Sequence, residues 1–226
     1  MNGKTNDLTW PEIGMFSVGS VAGAVLGVLA LVWLGSAMAA KAPGFWFVSR
    51  ASAVVAFLAL WMSTAWGVTI SSKGIGGLVS GPVAVTVHNV TSWLALGFGV
   101  VHGLSLLGDQ VVSFTLSALA VPFASAYQPF LTGLGTVSLY VGVIVTAAFY
   151  VKKRLGFKTW RAIHGLSYLM FAAVTVHSAL LGTDSSLPVM KAIYLVAGGS
   201  VLFLTLFRVL TAGVGRPSAG ESRPAA

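Results

Sequence analysis

Six stretches of this chain run for about 20 residues or more with almost no charge, the length a helix needs to cross a bilayer core of about 30 Å. They cover roughly residues 14–39, 46–68, 82–107, 129–150, 161–181 and 190–211. These runs are longer and more continuously apolar than the alternating segments of about ten residues that build a membrane barrel. The expected fold is therefore all-α, a polytopic membrane bundle of six helices. Residues 13–212 form the transmembrane domain, residues 1–12 a cytoplasmic N-terminal segment, and residues 213–226 a disordered tail rich in Pro, Ser, Gly and Ala. Composition agrees. The 226 residues are 56% hydrophobic and 8% charged, against about a quarter charged in a soluble domain.

Cysteine is absent. Disulfides, Cys-ligated iron–sulfur clusters, thiolate haem, covalent c-type haem and cysteine zinc sites are therefore excluded. The net charge of +8 points to lipid headgroups and topology rather than to nucleic acid, because the basic residues lie mainly between apolar stretches. On a six-span topology Lys4, Lys73, Lys152, Lys153, Arg154, Lys158, Arg161, Arg208, Arg216 and Arg223 fall on one side, and Lys41, Arg50 and Lys191 on the other. The positive-inside rule then places both termini in the cytoplasm of a cell (inner) membrane protein. Ala37-Met38-Ala39 has the look of a signal-peptidase site, but the apolar run before it is too long for an ordinary signal peptide.

The connections carry breaker signals. Lys41-Ala42-Pro43-Gly44 separates the first two spans, a glycine-rich stretch ending at Pro82 the next two, and Lys152-Lys153-Arg154 opens the loop after the fourth. The longest connection, Gly108 to Pro129, has no Lys or Arg, so part of it is expected to lie along the membrane surface.

The four histidines carry the chemistry. His88 and His102 fall in the third span, and His164 and His177 in the fifth. Both spans run in the same direction, so His88 and His164 share one depth and His102 and His177 another, about 20 Å apart along the helices. Ionisable residues are costly in lipid and tend to mark function. Two imidazole pairs at two depths are what two bis-imidazole haems require. The plainer reading is that these are packing or headgroup-level histidines. A spacing of 14 residues returns to within about 40° of one helical face, whereas the 13 between His164 and His177 misses by about 140°. Local irregularity or approach from different flanks is needed there.

The H-x13-H and H-x12-H pattern, with Val87-His88-Asn89-Val90-Thr91-Ser92-Trp93, Thr159-Trp160-Arg161-Ala162-Ile163-His164-Gly165-Leu166-Ser167-Tyr168 and Ser49-Arg50-Ala51, resembles the ferric-reductase-like transmembrane domain. That six-helix haem core is shared by NADPH oxidases, ferric reductases and the membrane subunit of bacterial methionine sulfoxide reductase systems. Cytochrome b of quinol:cytochrome c reductase is similar but uses x13 twice. The resemblance covers about residues 46–211. It implies two haem b groups between the third and fifth helices, with His88 and His164 on the inner iron and His102 and His177 on the outer. It also implies electron flow from a cytoplasmic donor, a separate flavoprotein reductase or a quinol, to an external acceptor such as ferric iron, dioxygen or a periplasmic redox protein. The chain is then a haem-bearing oxidoreductase subunit. It shows no G-x-G-x-x-G opening a nucleotide fold, so flavin is expected only through a partner.

Several residues are candidates for holding the haems. Arg50 stands at the depth of the outer pair, where it meets a propionate or snorkels to the headgroups. Arg161, three residues before His164, has the same role at the inner haem or serves only as a positive-inside residue. Lys73 and Lys158 are weaker candidates. Gly97, Gly99, Gly103 and Gly165 give flat space to porphyrin rings or serve close helix packing. Trp93, Phe98, Tyr168 and Phe171 lie between the two depths, as cofactor contacts or ordinary packing. Of these, Trp93 and Phe171 are expected to bind the cofactor. The five acids fall outside the spans or at their ends, which argues against the alternative of a haem-free histidine-relay transporter or proton channel. Ser/His/Asp hydrolysis has no support, since G-x-S-x-G is absent.

Overall fold

The structure is a computed structural model that describes residues 44–72, 81–109 and 112–211. The first expected span, the segment 1–12, Lys73 and the tail 213–226 lie outside these residues. Everything described is helix, turn or loop, with no strand among the described residues.

The elements in order are α1 (Gly44–Ser71), α2 (Gly81–Ser105) with a 3-10 turn at Leu106–Gly108, and α3 (Leu116–Ala120). Then follow α4 (Pro129–Tyr150), α5 (Lys152–Leu155), α6 (Phe157–Leu181) and α7 (Pro188–Thr211). Five of these helices, α1, α2, α4, α6 and α7, are long and apolar enough to cross a membrane. They coincide with the second to sixth expected spans.

Boundaries follow local chemistry. Pro129 and Pro188 stand at the first positions of α4 and α7, where the missing N–H costs nothing and the fixed φ suits a helix. α6 begins four residues earlier than expected, because Gly156 takes a left-handed φ of 77°. That conformation lets the chain turn from α5 directly into a new helix, and a side chain there is strained. Hydroxyls inside the spans return to the backbone. Thr64 donates to Leu60 O, Thr91 to Val87 O, Thr175 to Phe171 O and Thr205 to Val201 O, at 2.7 to 2.8 Å. In a solvent without water this is how such groups are satisfied.

α1 is the central helix. It packs most extensively against α2 and also touches α6 and α7, while α4 packs on α6. The main core joins Phe57 and Leu60 of α1 to Phe171 of α6 and to Ala197 and Val201 of α7. Ala197 is wholly buried, a small residue that lets α7 approach closely. Trp61 Nε1 donates to Ser200 Oγ at 2.8 Å, a second tie between α1 and α7. α6 buries only Phe171, because much of its inner side faces a cavity rather than a neighbouring helix.

Candidate functional site

A cavity of about 960 Å³ runs along the bundle between α1, α2, α4 and α6. All four histidines line it. At one level the rings of His88 and His164 face each other, centroids 6.0 Å apart and planes at 72°. At the other level His102 and His177 do the same, at 6.3 Å and 74°. The pairs that equal depth led us to expect are those the structure brings together. α6 is continuous from Phe157 to Leu181, so the 13-residue spacing is met from two flanks. Near His164 the cavity face includes Phe157, Arg161 and Tyr168; near His177 it includes Met170, Val174 and Ser178.

Three of the imidazoles are seated on backbone carbonyls of a neighbouring helix. His88 Nδ1 lies 3.0 Å from Ser63 O, His102 Nδ1 3.0 Å from Ser49 O, and His177 Nδ1 2.7 Å from Leu131 O. A carbonyl can only accept, so each Nδ1 carries the proton and donates, leaving the Nε2 lone pair for another partner. The serine hydroxyls add to this, at 3.2 Å for Ser63 and 3.0 Å for Ser49, and Ser63 is tied onward to Ser92 at 2.7 Å. Ser49 and Ser63 stand 14 residues apart on α1, the same interval as His102 and His88 on α2. The two antiparallel helices thus meet in register twice. His164 has no hydrogen bond to a described residue. It stacks on Trp160, centroids 5.4 Å apart at 23°.

Ser63 and the Leu131 carbonyl draw no notice in the sequence, and Ser49 stands there only within the Ser49-Arg50-Ala51 motif. The matching 14-residue interval on α1 was the available signal.

The other expected residues divide. Trp93, Tyr168 and Arg161 line the cavity, and Trp93 donates to the Tyr150 hydroxyl at 3.1 Å. Arg208 joins them from α7. Phe98 is not part of the wall, and Phe171 is not a cavity residue either. It stacks on Phe57 at 6.3 Å in the core between α1, α6 and α7, because α6 turns that side toward α1. Arg50 has a carboxylate partner within the chain. Its Nε donates to Asp184 Oδ2 at 2.7 Å and its Nη2 to Asp184 Oδ1, with its guanidinium 4.0 Å from the Trp46 ring centre.

The segment after α2 covers the second level. Leu116, Leu119 and Ala120 line the cavity there. Thr136 Oγ1 donates to Leu119 O at 3.0 Å and the Tyr140 hydroxyl to Ala120 O, which holds α3 onto α4.

Charge divides the two ends. Lys152, Lys153, Arg154, Lys158, Arg161 and Arg208 gather at the end nearer His88 and His164, while Asp109, Asp184, Arg50 and Lys191 stand at the other. Among the described residues no three or more His, Cys, Asp or Glu side chains gather as a metal site. A metal bound at either level therefore has two protein nitrogens and takes its remaining ligands from elsewhere.

The arrangement fits a haem at each level. With metal–imidazole bonds of about 2.0 Å, two imidazoles on opposite sides of one metal would have ring centres roughly 6 Å apart. The observed separations are 6.0 and 6.3 Å. A tetrapyrrole supplies the equatorial nitrogens that the protein does not, and imidazoles oriented through Nδ1–H bonds to carbonyls are the usual support for such ligands.

Fold and site thus define an apolar helical bundle with two stacked histidine pairs in one cavity. The chain belongs to the DUF8596 family, a domain of unknown function whose family model matches residues 44–184. That region includes all four histidines and ends at the partner of Arg50. No curated protein and no solved structure matches the chain.

Proposed function

We propose that this protein is a membrane b-type cytochrome, akin to the ferric-reductase-like haem domain, that carries electrons across the bilayer through two bis-histidine haems. The observation that carries the reading is the separation of the two ring pairs, 6.0 and 6.3 Å, which suits one iron between each pair. Two haem b groups, when bound, supply one-electron centres at two depths.

The chain's own residues do the rest. His88 and His164 hold one iron and His102 and His177 the other, each through Nε2 where Nδ1 is engaged by a carbonyl. With two imidazoles from the chain on each iron, a bound haem would favour electron transfer over binding of an outside ligand. Trp93 and Tyr168 wall the cavity at the first level, and Arg161 offers its guanidinium to a propionate there. Arg50 keeps its bond to Asp184 and steadies the second level. The cation-rich end faces the cytoplasm of a cell membrane and receives electrons from a separate flavoprotein reductase or a quinol. The Gly108–Pro129 segment faces outward, where the acceptor is ferric iron, dioxygen or a periplasmic redox protein.

The test is the reduced-minus-oxidised visible spectrum of the purified protein, with a haem count. Two haem b per chain supports the reading. A folded, colourless protein that takes up no haem on reconstitution ends it in favour of a histidine relay or a structural role for the rings.

A further inference from the structure

Two glycines that adjoin no histidine in sequence touch histidines in space. A Cβ added at Gly67 would lie 3.1 Å from His88 Cε1 and 3.3 Å from its Nδ1. At Gly135 it would lie 2.8 Å from His177 Cε1 and 3.0 Å from its Nδ1. Gly103 and Gly165 follow directly after His102 and His164, yet a Cβ at either meets nothing within 4 Å.

Each of the first two glycines stands four residues after the carbonyl that accepts from its histidine: Ser63 and Gly67 for His88, Leu131 and Gly135 for His177. Helix geometry explains the interval. Side chains lean toward the N-terminus, so the Cβ of residue i+4 overlies the carbonyl of residue i. With no Cβ there, the second lone pair of that carbonyl is open to a ring from the side.

We propose that Gly67 and Gly135 are positioning residues, each uncovering a helical carbonyl that fixes the Nδ1–H tautomer of the histidine facing it. At His88 the carbonyl decides a choice the serine leaves open. The Ser63 hydroxyl, 3.2 Å from Nδ1, can donate as well as accept, and donation would drive the ring proton to Nε2. Ser63 O can only accept. At His177 the Leu131 carbonyl is the partner of that nitrogen among the described residues. The third seat, Ser49 O, is reached at 3.0 Å with Ala53 in the corresponding place, so a Cβ four residues on does not by itself close a carbonyl; Gly67 and Gly135 differ because a Cβ there would stand 3.1 and 2.8 Å from the ring.

The redox consequence rests on the bis-histidine haem reading; the tautomer does not. A carbonyl accepting from Nδ1–H makes the imidazole a more basic ligand. That stabilises oxidised iron, so each glycine holds the potential of its own level down.

The experiment records ring ¹⁵N and N–H resonances of the full chain, as purified and reduced, with labelled histidine. His88 and His177 are expected to show slowly exchanging Nδ1–H groups. Gly67→Ala abolishes that protection at His88 alone, and Gly135→Ala at His177 alone. Ser63→Ala, Gly103→Ala and Gly165→Ala leave both intact. In a redox titration each of the first two variants raises the potential of one level and leaves the other unchanged.

The proposal fails if Gly67→Ala leaves the His88 signal protected, or if Ser63→Ala removes it, which makes the hydroxyl the seat. Gly67 is the less crowded site, so its variant carries the test should Gly135→Ala not fold. The unaltered protein also decides: a His88 or His177 protonated on Nε2 overturns the idea. A protein that proves to bind no haem ends the cytochrome reading, and the same spectra still report the tautomers.

Discussion

Arg50 and Asp184 are joined by two parallel hydrogen bonds across 134 residues of sequence. The pair fastens the start of α1, where Ser49 holds His102, to the loop that follows His177 on α6. It therefore braces both histidines of the second level. The side chains are 30% and 21% exposed, so solvent screens part of the attraction, and the pair is worth about 1–2 kcal/mol. Arg50→Gln and Asp184→Asn should lower thermal stability by similar amounts, and the double variant by little more than either. Additive losses in that cycle would show that the two act separately.

The four histidines should sort into two spectral components. His88→Ala and His164→Ala should each remove the same component, leaving about half the pigment. His102→Ala and His177→Ala should remove the other. The approach of His88 to His164 and of His102 to His177, at 6.0 and 6.3 Å, motivates this. Loss of different components by His88→Ala and His164→Ala would show that those two do not share an iron.

Ring orientation gives an independent readout. The imidazole planes cross at 72° and 74°, far from parallel. If each pair holds a haem iron, imidazoles crossed at these angles would leave its d orbitals nearly degenerate, and both oxidised centres would give the highly anisotropic low-spin electron paramagnetic resonance signal. Well-separated rhombic triplets of the parallel type from both centres would contradict this geometry.

Much of this was legible in the sequence, for definite reasons. Spans could be read because lipid admits few charges, and the histidines because ionisable groups stand out against that background. Their depths followed from helix direction alone. The supports were hidden because they act through main-chain carbonyls and through missing side chains. Gly103 and Gly165 drew notice by adjoining histidines, whereas Gly67 and Gly135 matter because of the register between helices. Phe171, read from the sequence as a cofactor contact or ordinary packing, stands in the core for a related reason. Its place on α6 is clear from sequence, but which neighbour fills that side depends on how α1 and α7 pack. The sequence assigns Arg50 to an outer-haem propionate or to the headgroups; in the structure its guanidinium is engaged by Asp184 instead.

The second level is closed from above by α3, and the closure rests on few bonds. Thr136 and Tyr140 donate to consecutive carbonyls, Leu119 O and Ala120 O, while the Phe123 ring lies where a Cβ on Gly133 would stand. Each hydrogen bond contributes about 1 kcal/mol, enough together to keep a short segment seated. Thr136→Val combined with Tyr140→Phe should free α3 while leaving the histidines and haem content unchanged. The measurement is the rate at which a hydrophilic oxidant such as ferricyanide reoxidises the second level after dithionite reduction. About 2 kcal/mol of lost seating predicts an increase of roughly tenfold or more if opening limits access. An unchanged rate, with α3 shown by proteolysis to be loosened, would mean that electrons leave the second level by a path that does not cross this segment.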